Sequence, residues 1–337
     1  MFASVAAAQD ASFSQFFLNP LYTNPAYTGV NPGLRANLNY RTLWPNVPSK
    51  FPTYSISTDV QVPHIASGVG LNMFNDVEGE GTLHTQSVGV FYSYMAELSP
   101  KRWFFNAGFN TALVSKRVDW SSLVFSDQID PVLGVTKPTA SLPPSMQNVF
   151  YPDFNVGFLL RHNYKNRRRG LTLTYNLGFA IHHLVKPNES ILRMTSPLPR
   201  RYALHADVLI PFKTDAKSHK RYLINPMFMW ENQEPMNTFI GSCVALISPV
   251  YVGLAYRNQT PLVADLKRAD AMIVTFGLND VLPKKNLHYK LGYSYDLTVS
   301  NLKANTQGSH EIALVVENRK FSFTRNKAKK KFECASF

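Results

Sequence analysis

The sequence predicts an all-β chain that folds as a transmembrane antiparallel barrel of about fourteen strands. Apolar and polar residues alternate with a period of two along much of the chain, which is typical of strands with two different faces. Aromatic residues make up 13% of the 337 residues and charged residues 17%, whereas soluble domains carry about 25% charged residues. No run of 18 apolar residues occurs, so a membrane-spanning helix is not predicted.

The first predicted strand shows the alternation clearly. From Leu34 to Arg41 every second residue is strongly polar. In an outer-membrane barrel alternate side chains face lipid and lumen, and the lumen tolerates arginine and asparagine. The side chains predicted to line the lumen are Arg35, Asn37, Asn39 and Arg41.

Fourteen segments of this kind can be placed along the chain. They lie at residues 33–42, 53–60, 66–75, 82–95, 103–117, 151–163, 171–184, 201–211, 222–231, 236–247, 249–257, 271–279, 287–295 and 310–323. Several have the roughly 9–11 residues that a tilted strand needs to cross a bilayer. Even strand numbers are typical of single-chain bacterial barrels. We therefore expect the outer membrane of a Gram-negative bacterium, with both termini periplasmic.

The links between the predicted strands alternate in length and charge. The longest links span residues 118–150, 186–200, 258–270 and 296–309, and all follow odd-numbered strands. Basic residues predominate in the even links, at Lys101, Arg102, Lys165, Arg167, Arg168, Arg169, Lys213, Lys217, Lys220, Arg221, Lys284 and Lys285. Acidic residues predominate near the odd links, at Asp76, Glu78, Glu80, Asp127, Asp130, Glu231 and Glu234. This division predicts long extracellular loops and a basic periplasmic face that meets an anionic partner.

Four segments describe the domain organisation. Residues 1–8 are interpreted as residual signal peptide, because Ala6 and Ala8 before Gln9 have the spacing of a signal peptidase site; a disordered N-terminus is the alternative. Residues 9–32 form a lead-in, residues 33–323 the barrel, and residues 324–337 a basic periplasmic tail. The tail is either a docking peptide or a solvated charged end. Cys243 and Cys334 are both expected to be free.

The lead-in contains two Asn-Pro pairs, Asn19-Pro20 and Asn24-Pro25. Proline lacks a backbone donor and biases the preceding residue toward extended or turn geometry. We therefore expect a non-helical segment that runs along the periplasmic side or into the lumen. There Asn19, Asn24 and Tyr27 would supply hydrogen bonds, and turn formation alone is the alternative role.

No catalytic or cofactor-binding motif is found. The chain lacks G-x-S-x-G, a glycine-rich phosphate loop and a Cys/His nucleophile arrangement. His182 and His183 are neighbours on a predicted strand and would point to opposite faces, so they do not form a metal site. Basic residues lie in turns without an aromatic stacking module, which argues against nucleic-acid binding. We expect no enzyme, no cofactor and no metal.

The lead-in also resembles the opening of the PorP/SprF family of type IX secretion membrane proteins. The family phrase D-P-x-F-S-Q-Y, N-P-L, N-P-A-Y-x-G is matched from Asp10 to Gly29, with Ala11 in place of proline. A second matching phrase is Tyr40-Arg41 followed by Trp44-Pro45, with Leu43 in place of the family's glutamine. The other matching phrases lie at residues 68–71 together with 75, 76 and 79; at 119–127; at 152–157; at 178–183 together with Pro187; and at 292–296, 309–312 and 334–337. They occur in the family's order along the whole mature chain.

The resemblance implies an outer-membrane barrel without enzymatic activity that serves protein secretion and gliding motility. Its implied partners are outer-membrane lipid, a secreted adhesin with a C-terminal sorting domain, a periplasmic peptidoglycan-associated lipoprotein and other type IX components. The residues expected to bind a partner are Asn19, Pro20, Asn24, Pro25, Tyr27, Lys329, Lys330, Lys331, Cys334 and Phe337. The alternative is a passive channel for small, preferentially anionic solutes, and a barrel hydrolase ranks third.

Overall fold

The protein is a closed β-barrel built from fourteen strands. The computed structural model describes residues 10–45, 51–78, 82–140, 148–166, 171–192, 194–215, 220–261, 269–280, 287–299 and 308–321. The predicted basic tail, the residues before Asp10 and much of the basic links lie outside the described residues. None of the helical turns among these residues has the length and apolarity to cross a membrane.

The barrel is an antiparallel meander. Its strands are β1 (Leu34–Leu43), β2 (Phe51–Val62), β3 (Ser67–Glu78), β4 (Leu83–Ser99), β5 (Trp103–Val118), β8 (Asn148–Asn166), β9 (Leu171–His182), β10 (Arg201–Asp215), β11 (Lys220–Gln233), β12 (Met236–Ile247), β13 (Val250–Pro261), β14 (Ala269–Asn279), β15 (Leu287–Thr298) and β16 (Ser309–Asn318). Each strand pairs with the next, and β1 closes the barrel against β16 from Leu34↔Asn318 to Leu43↔Ser309. The predicted fourteen-stranded antiparallel barrel is confirmed.

Several strands exceed the predicted lengths. β8 has 19 residues and pairs with β5 from Trp103↔His162 to Arg117↔Asn148. This part of the wall is longer than the roughly 9–11 residues that cross a bilayer. The last strand is shorter than predicted and ends at Asn318, where a turn bonds the Phe321 amide to the Asn318 carbonyl.

The period-two pattern produces two chemically different faces. In β1 the side chains of Arg35, Asn37, Asn39 and Arg41 are buried inside the barrel, while Leu38 is 43% exposed on the outer face. The other strands repeat this arrangement, with exposed leucine, isoleucine, valine, phenylalanine and tyrosine side chains outside. An apolar outer band matches a lipid environment, and the polar side chains are kept within the lumen.

The elements outside the wall are short. The lead-in forms three single helical turns: a 3-10 turn at Phe16–Leu18, helix α1 at Pro20–Thr23 and a 3-10 turn at Pro25–Tyr27. The expectation of a non-helical lead-in is therefore wrong. Each proline occupies the first position of its turn, where the missing amide hydrogen costs no helical bond. A two-stranded hairpin, β6 (Ile129–Asp130) and β7 (Gly134–Val135), lies in the link between β5 and β8.

The core of the protein lies within the barrel, between its wall and the lead-in. Phe16 and Leu18 pack against an inner-wall cluster that includes Met229, Ile240 and Val244. Further along the lead-in, a second cluster joins residues 26 and 30 to the inner wall at 159. Burial of this apolar surface stabilises the lead-in inside the lumen.

Candidate functional site

The lead-in crosses the lumen from one end of the barrel to the other. The Asp10 amide donates to Gln233 at the far end of β11, 2.9 Å away. At the opposite end the Gly33 carbonyl accepts from the Gln61 amide, next to the turn between β2 and β3. The end at Asp10 carries the longest links, and we call it the long-loop end; the other is the short-link end.

Because of this crossing, the described chain starts and ends at opposite ends of the barrel. The described chain begins at Asp10 at the long-loop end, whereas β16 leaves the wall at the short-link end. The expectation that both termini are periplasmic counted only the wall strands. Residues 1–9 and 322–337 lie outside the described residues, so the location of the termini stays a prediction. The sequence allows two paths for the lead-in, along the periplasmic side or through the lumen. In the structure the lead-in runs through the lumen.

Inner-wall glycines let the lead-in backbone approach closely. A Cβ atom built on Gly108 would lie 2.3 Å from the Ala26 nitrogen and from the Pro25 carbonyl carbon. One built on Gly157 would lie 2.0 Å from Asn24 Oδ1. Any side chain larger than hydrogen would therefore displace the second Asn-Pro turn.

Asn24 is bound on all sides by the barrel and by its own turn. Its amide nitrogen donates to the carbonyl oxygens of Phe158 (3.0 Å) and Phe179 (3.3 Å) on adjacent strands. Its Oδ1 accepts from the Ala26 amide, which caps the following turn. The amide nitrogen also lies 3.0 Å from Nε2 of His205. Asn24 is therefore a bridge between the lead-in and three strands of the wall.

The other predicted partner-binding residues of the lead-in are buried or, for Tyr27, partly buried. Tyr27 stacks on the His205 ring with centroids 5.3 Å apart. Asn19, Pro20 and Pro25 are buried inside the barrel. Their contacts are with the barrel itself, and a role toward a partner stays a prediction. The tail residues predicted to bind a partner lie outside the described residues.

A buried ionic cluster holds the start of the lead-in. Arg41 lies 2.7 Å from Asp296 and 3.1 Å from Glu311, and Arg257 lies 2.9 Å from Asp296. The Ser14 hydroxyl donates to Asp296 and the Ser14 amide to Glu311, both at 2.7 Å. Arg41 therefore neutralises the two carboxylates that bind Ser14, Asp296 through its hydroxyl and Glu311 through its backbone amide.

Near the short-link end, Arg35 neutralises another carboxylate that binds the lead-in. Its guanidinium donates to both carboxylate oxygens of Asp59 and to the Tyr27 carbonyl. Asp59 in turn accepts from the Gly29 amide at 2.7 Å. Asn37, predicted to line the lumen with Asn39, donates to Ser57.

A second charged network closes the long-loop end. Asp10 Oδ2 lies 2.8 Å from His183 Nε2 and 3.2 Å from Arg201, and His183 Nδ1 lies 3.1 Å from Asp153. Burial alone would lower the pKa of His183, but Asp10 and Asp153 raise it to about 10. Burial opposes ionisation of Asp10, yet His183 and Arg201 hold its pKa well below the usual value. Glu231, which the sequence placed near a loop, contacts Arg201 at 3.5 Å inside the wall.

Sequence reasoning missed this network. Asp10 and His183 are 173 residues apart, and no local pattern joins them. His183 was considered only as a metal ligand. The described residues contain no group of three side chains suited to hold a metal ion.

The long-loop end also presents an apolar surface. Asp130 caps the turn of the β6–β7 hairpin by accepting from the Val132 and Leu133 amides. The side chains of Val132 and Leu133 are 89% and 75% exposed, and the neighbouring Ile129 and Val135 are more than half exposed. These four aliphatic side chains form what we call the hairpin tip. It lies beyond the wall, in the loop that follows β5.

Comparison with known proteins identifies the family. The model for the type IX secretion system membrane protein PorP/SprF matches residues 5–316. The chain belongs to the PorP/SprF family. Membership of this secretion-system family and the barrel fold support a location in the outer membrane. No curated protein matches the chain significantly.

Solved barrels share the architecture at low similarity. CdiB from Acinetobacter baumannii is 8% identical with a TM-score of 0.45, and the match covers 84% of this chain but 60% of CdiB. The toluene transporter TbuX from Ralstonia pickettii is 9% identical with a TM-score of 0.43, covering 89% and 92% of the two chains. The monoaromatic hydrocarbon channel CymD is 10% identical with a TM-score of 0.42, covering 89% and 91%. Similarities this low carry no argument about what the PorP/SprF barrel binds or transports.

Proposed function

We propose that this PorP/SprF protein is a closed binding and anchoring barrel of the type IX secretion and gliding system. The barrel would bind the C-terminal sorting domain of a secreted surface protein, other components of the secretion system, or both. The observation that carries this proposal is the lumen, which is occupied by the protein's own lead-in. Because the lead-in occupies the lumen, binding of partners at the two ends of the barrel is favoured over conduction of solutes through it.

The proposed orientation has the long-loop end outside the cell and the short-link end in the periplasm. The alternation of long and short links supports it, since extracellular loops of outer-membrane barrels are the longer ones. The basic short links and basic tail would then face a peptidoglycan-associated lipoprotein.

Protease treatment of intact cells tests this orientation and should cleave within residues 119–140. Cleavage near Lys165 in intact cells would contradict this orientation.

The hairpin tip is the proposed contact with the secreted protein. Exposed aliphatic clusters outside the lipid-facing wall are typical of protein interaction sites. The tip stands on a hairpin whose two short strands pair only with each other among the described residues. It therefore offers apolar side chains, and free strand edges, to an incoming domain.

Affinity purification in mild detergent from native outer membranes, followed by mass spectrometry, tests the proposal. The wild-type barrel should retain a large secreted protein with a C-terminal sorting domain, a periplasmic lipoprotein, or both. A Val132→Asn/Leu133→Asn variant should lose the secreted protein, while Ile65→Asn, exposed at the short-link end, should keep it. A barrel purified without any partner would refute the anchoring function.

A passive channel for small, preferentially anionic solutes is the second candidate. Its supporting observation is a pair of chambers of about 120 and 100 Å3 on either side of the lead-in, each lined by charged, polar and apolar side chains. Conduction would require the lead-in to move, because its turns separate the two chambers. Steady anion-selective conductance of the intact protein would favour this candidate over the anchoring function.

A further inference from the structure

We infer that the chamber at the short-link end binds a small oxyanion, a carboxylate or a phosphate, on the guanidinium of Arg161. This inference concerns the purified barrel and does not depend on the proposed secretion role. The chamber is the one of about 100 Å3, bounded on one side by the lead-in and on the other by the inner wall.

Arg161 differs from the other buried basic residues among those that the structure describes. Six of these residues contact a carboxylate within 4.0 Å: Arg35, Arg41, Lys116, Arg201, Arg257 and Lys290. Arg161 is only 2% exposed and forms no such ion pair within the described part of the chain. Asp207 attracts Arg161 electrostatically but does not form a direct ion pair with it. The cost of burying this cation, several kcal/mol for an unpaired charge, is therefore only partly offset.

The hydrogen bonds of Arg161 leave one side of its guanidinium available. Its Nε donates to Asn176 Oδ1 at 3.1 Å, and its buried Nη1 has no hydrogen-bond partner in the described chain. Asp207, an acid that lines the same chamber, accepts a hydrogen bond from the Asn176 amide at 2.9 Å. Asn176 thus stands between the cation and that carboxylate. Arg161 consequently retains donors for an anion in the chamber.

The other lining residues define the ligand's size and character. Asn225 lines the same chamber, and its buried Oδ1 has no partner in the described chain; exchange of its amide atoms would present a donor at that position instead. Phe16, Leu209 and Met227 supply an apolar side. A volume of about 100 Å3 suits a small anion with a few waters but excludes a folded partner.

The ligand would enter from the short-link end. Glu317, near the end of β16, lines this chamber together with Asn31, and the two side chains are hydrogen-bonded at 3.0 Å. The lead-in turns at residues 16–27 close the chamber toward the long-loop end. Because Asn31 and Glu317 are themselves buried, their hydrogen bond must open before an anion from the compartment that faces the short links reaches Arg161.

Titration of the purified full-length barrel with inorganic phosphate, acetate or chloride at constant ionic strength tests the inference. Phosphate or acetate should bind saturably by calorimetry and raise the melting temperature more than chloride does. The anion that binds identifies the ligand class. Equal behaviour in all three salts would overturn the inference.

Variants locate the site. Arg161→Gln should weaken binding of the effective anion at least tenfold, while Arg161→Lys should retain part of it. Arg117→Gln, which alters an arginine exposed at the end of β5, should bind like wild type. Undiminished binding by Arg161→Gln would contradict the assignment. If that variant does not fold, phenylglyoxal modification of the wild-type protein decides: the anion should protect Arg161, and modification unaffected by the anion would refute the site.

Discussion

Replacing Gly108 with alanine should displace the lead-in from its place in the lumen. The new Cβ would lie 2.3 Å from the backbone nitrogen of Ala26. Reaching an ordinary van der Waals separation therefore requires a backbone shift of about 1 Å. Ala26 is fully buried, so the second Asn-Pro turn cannot make that shift without breaking some of its contacts with the wall. Overpacking of this kind costs about 1–3 kcal/mol, and loss of the Asn24 hydrogen bonds would add about 1 kcal/mol for each.

Hydrogen exchange of the lead-in amides measures this effect locally. A cost of 1–3 kcal/mol corresponds to roughly a 5- to 150-fold increase in opening of the second Asn-Pro turn. The amides of Tyr27 and Thr28, which bond within that turn, should therefore exchange faster by this factor. Gly241→Ala is the matched control, because a Cβ there has nothing within 4 Å. Identical exchange in the Gly108→Ala and Gly241→Ala proteins would refute the close approach of lead-in and wall.

Two further predictions concern the buried charges. Arg41→Met would remove the cation paired with Glu311 and leave Asp296 with Arg257 alone. It should destabilise the barrel by about 3–5 kcal/mol; an unchanged urea midpoint in detergent would contradict this. The raised pKa of His183, about 10 in the folded barrel against about 6.5 unfolded, stabilises the protein fully below pH 6.5. This stabilisation is lost as the pH rises through 10. His183→Gln should therefore flatten the decline in melting temperature across that range, and a decline as steep as in wild type would argue against the Asp10 ion pair.

The barrel could be predicted from sequence because its signal is local. Each strand of an outer-membrane barrel alternates between two solvents, so the pattern at Leu34–Arg41 already separates outer from inner side chains. The lengths of the links between strands could also be read from the sequence, and they distinguish the two ends of the barrel. The β6–β7 hairpin escaped detection, since strands of two residues are too short to show a period.

The position and contacts of the lead-in could not be predicted, because they depend on residues distant in sequence. Asn24 and His205 are 181 residues apart. The two prolines define local turns, but they do not say whether those turns lie in the periplasm or in the lumen. Inward glycines such as Gly108 were the available signal, since glycine within a strand often marks a close backbone approach.

Planar-bilayer recording of the purified full-length protein tests whether the lead-in closes the lumen. We expect no steady conductance from the wild-type barrel and brief openings from Gly108→Ala, whose lead-in is loosened. A stable, permanently open pore formed by the wild-type protein would contradict it.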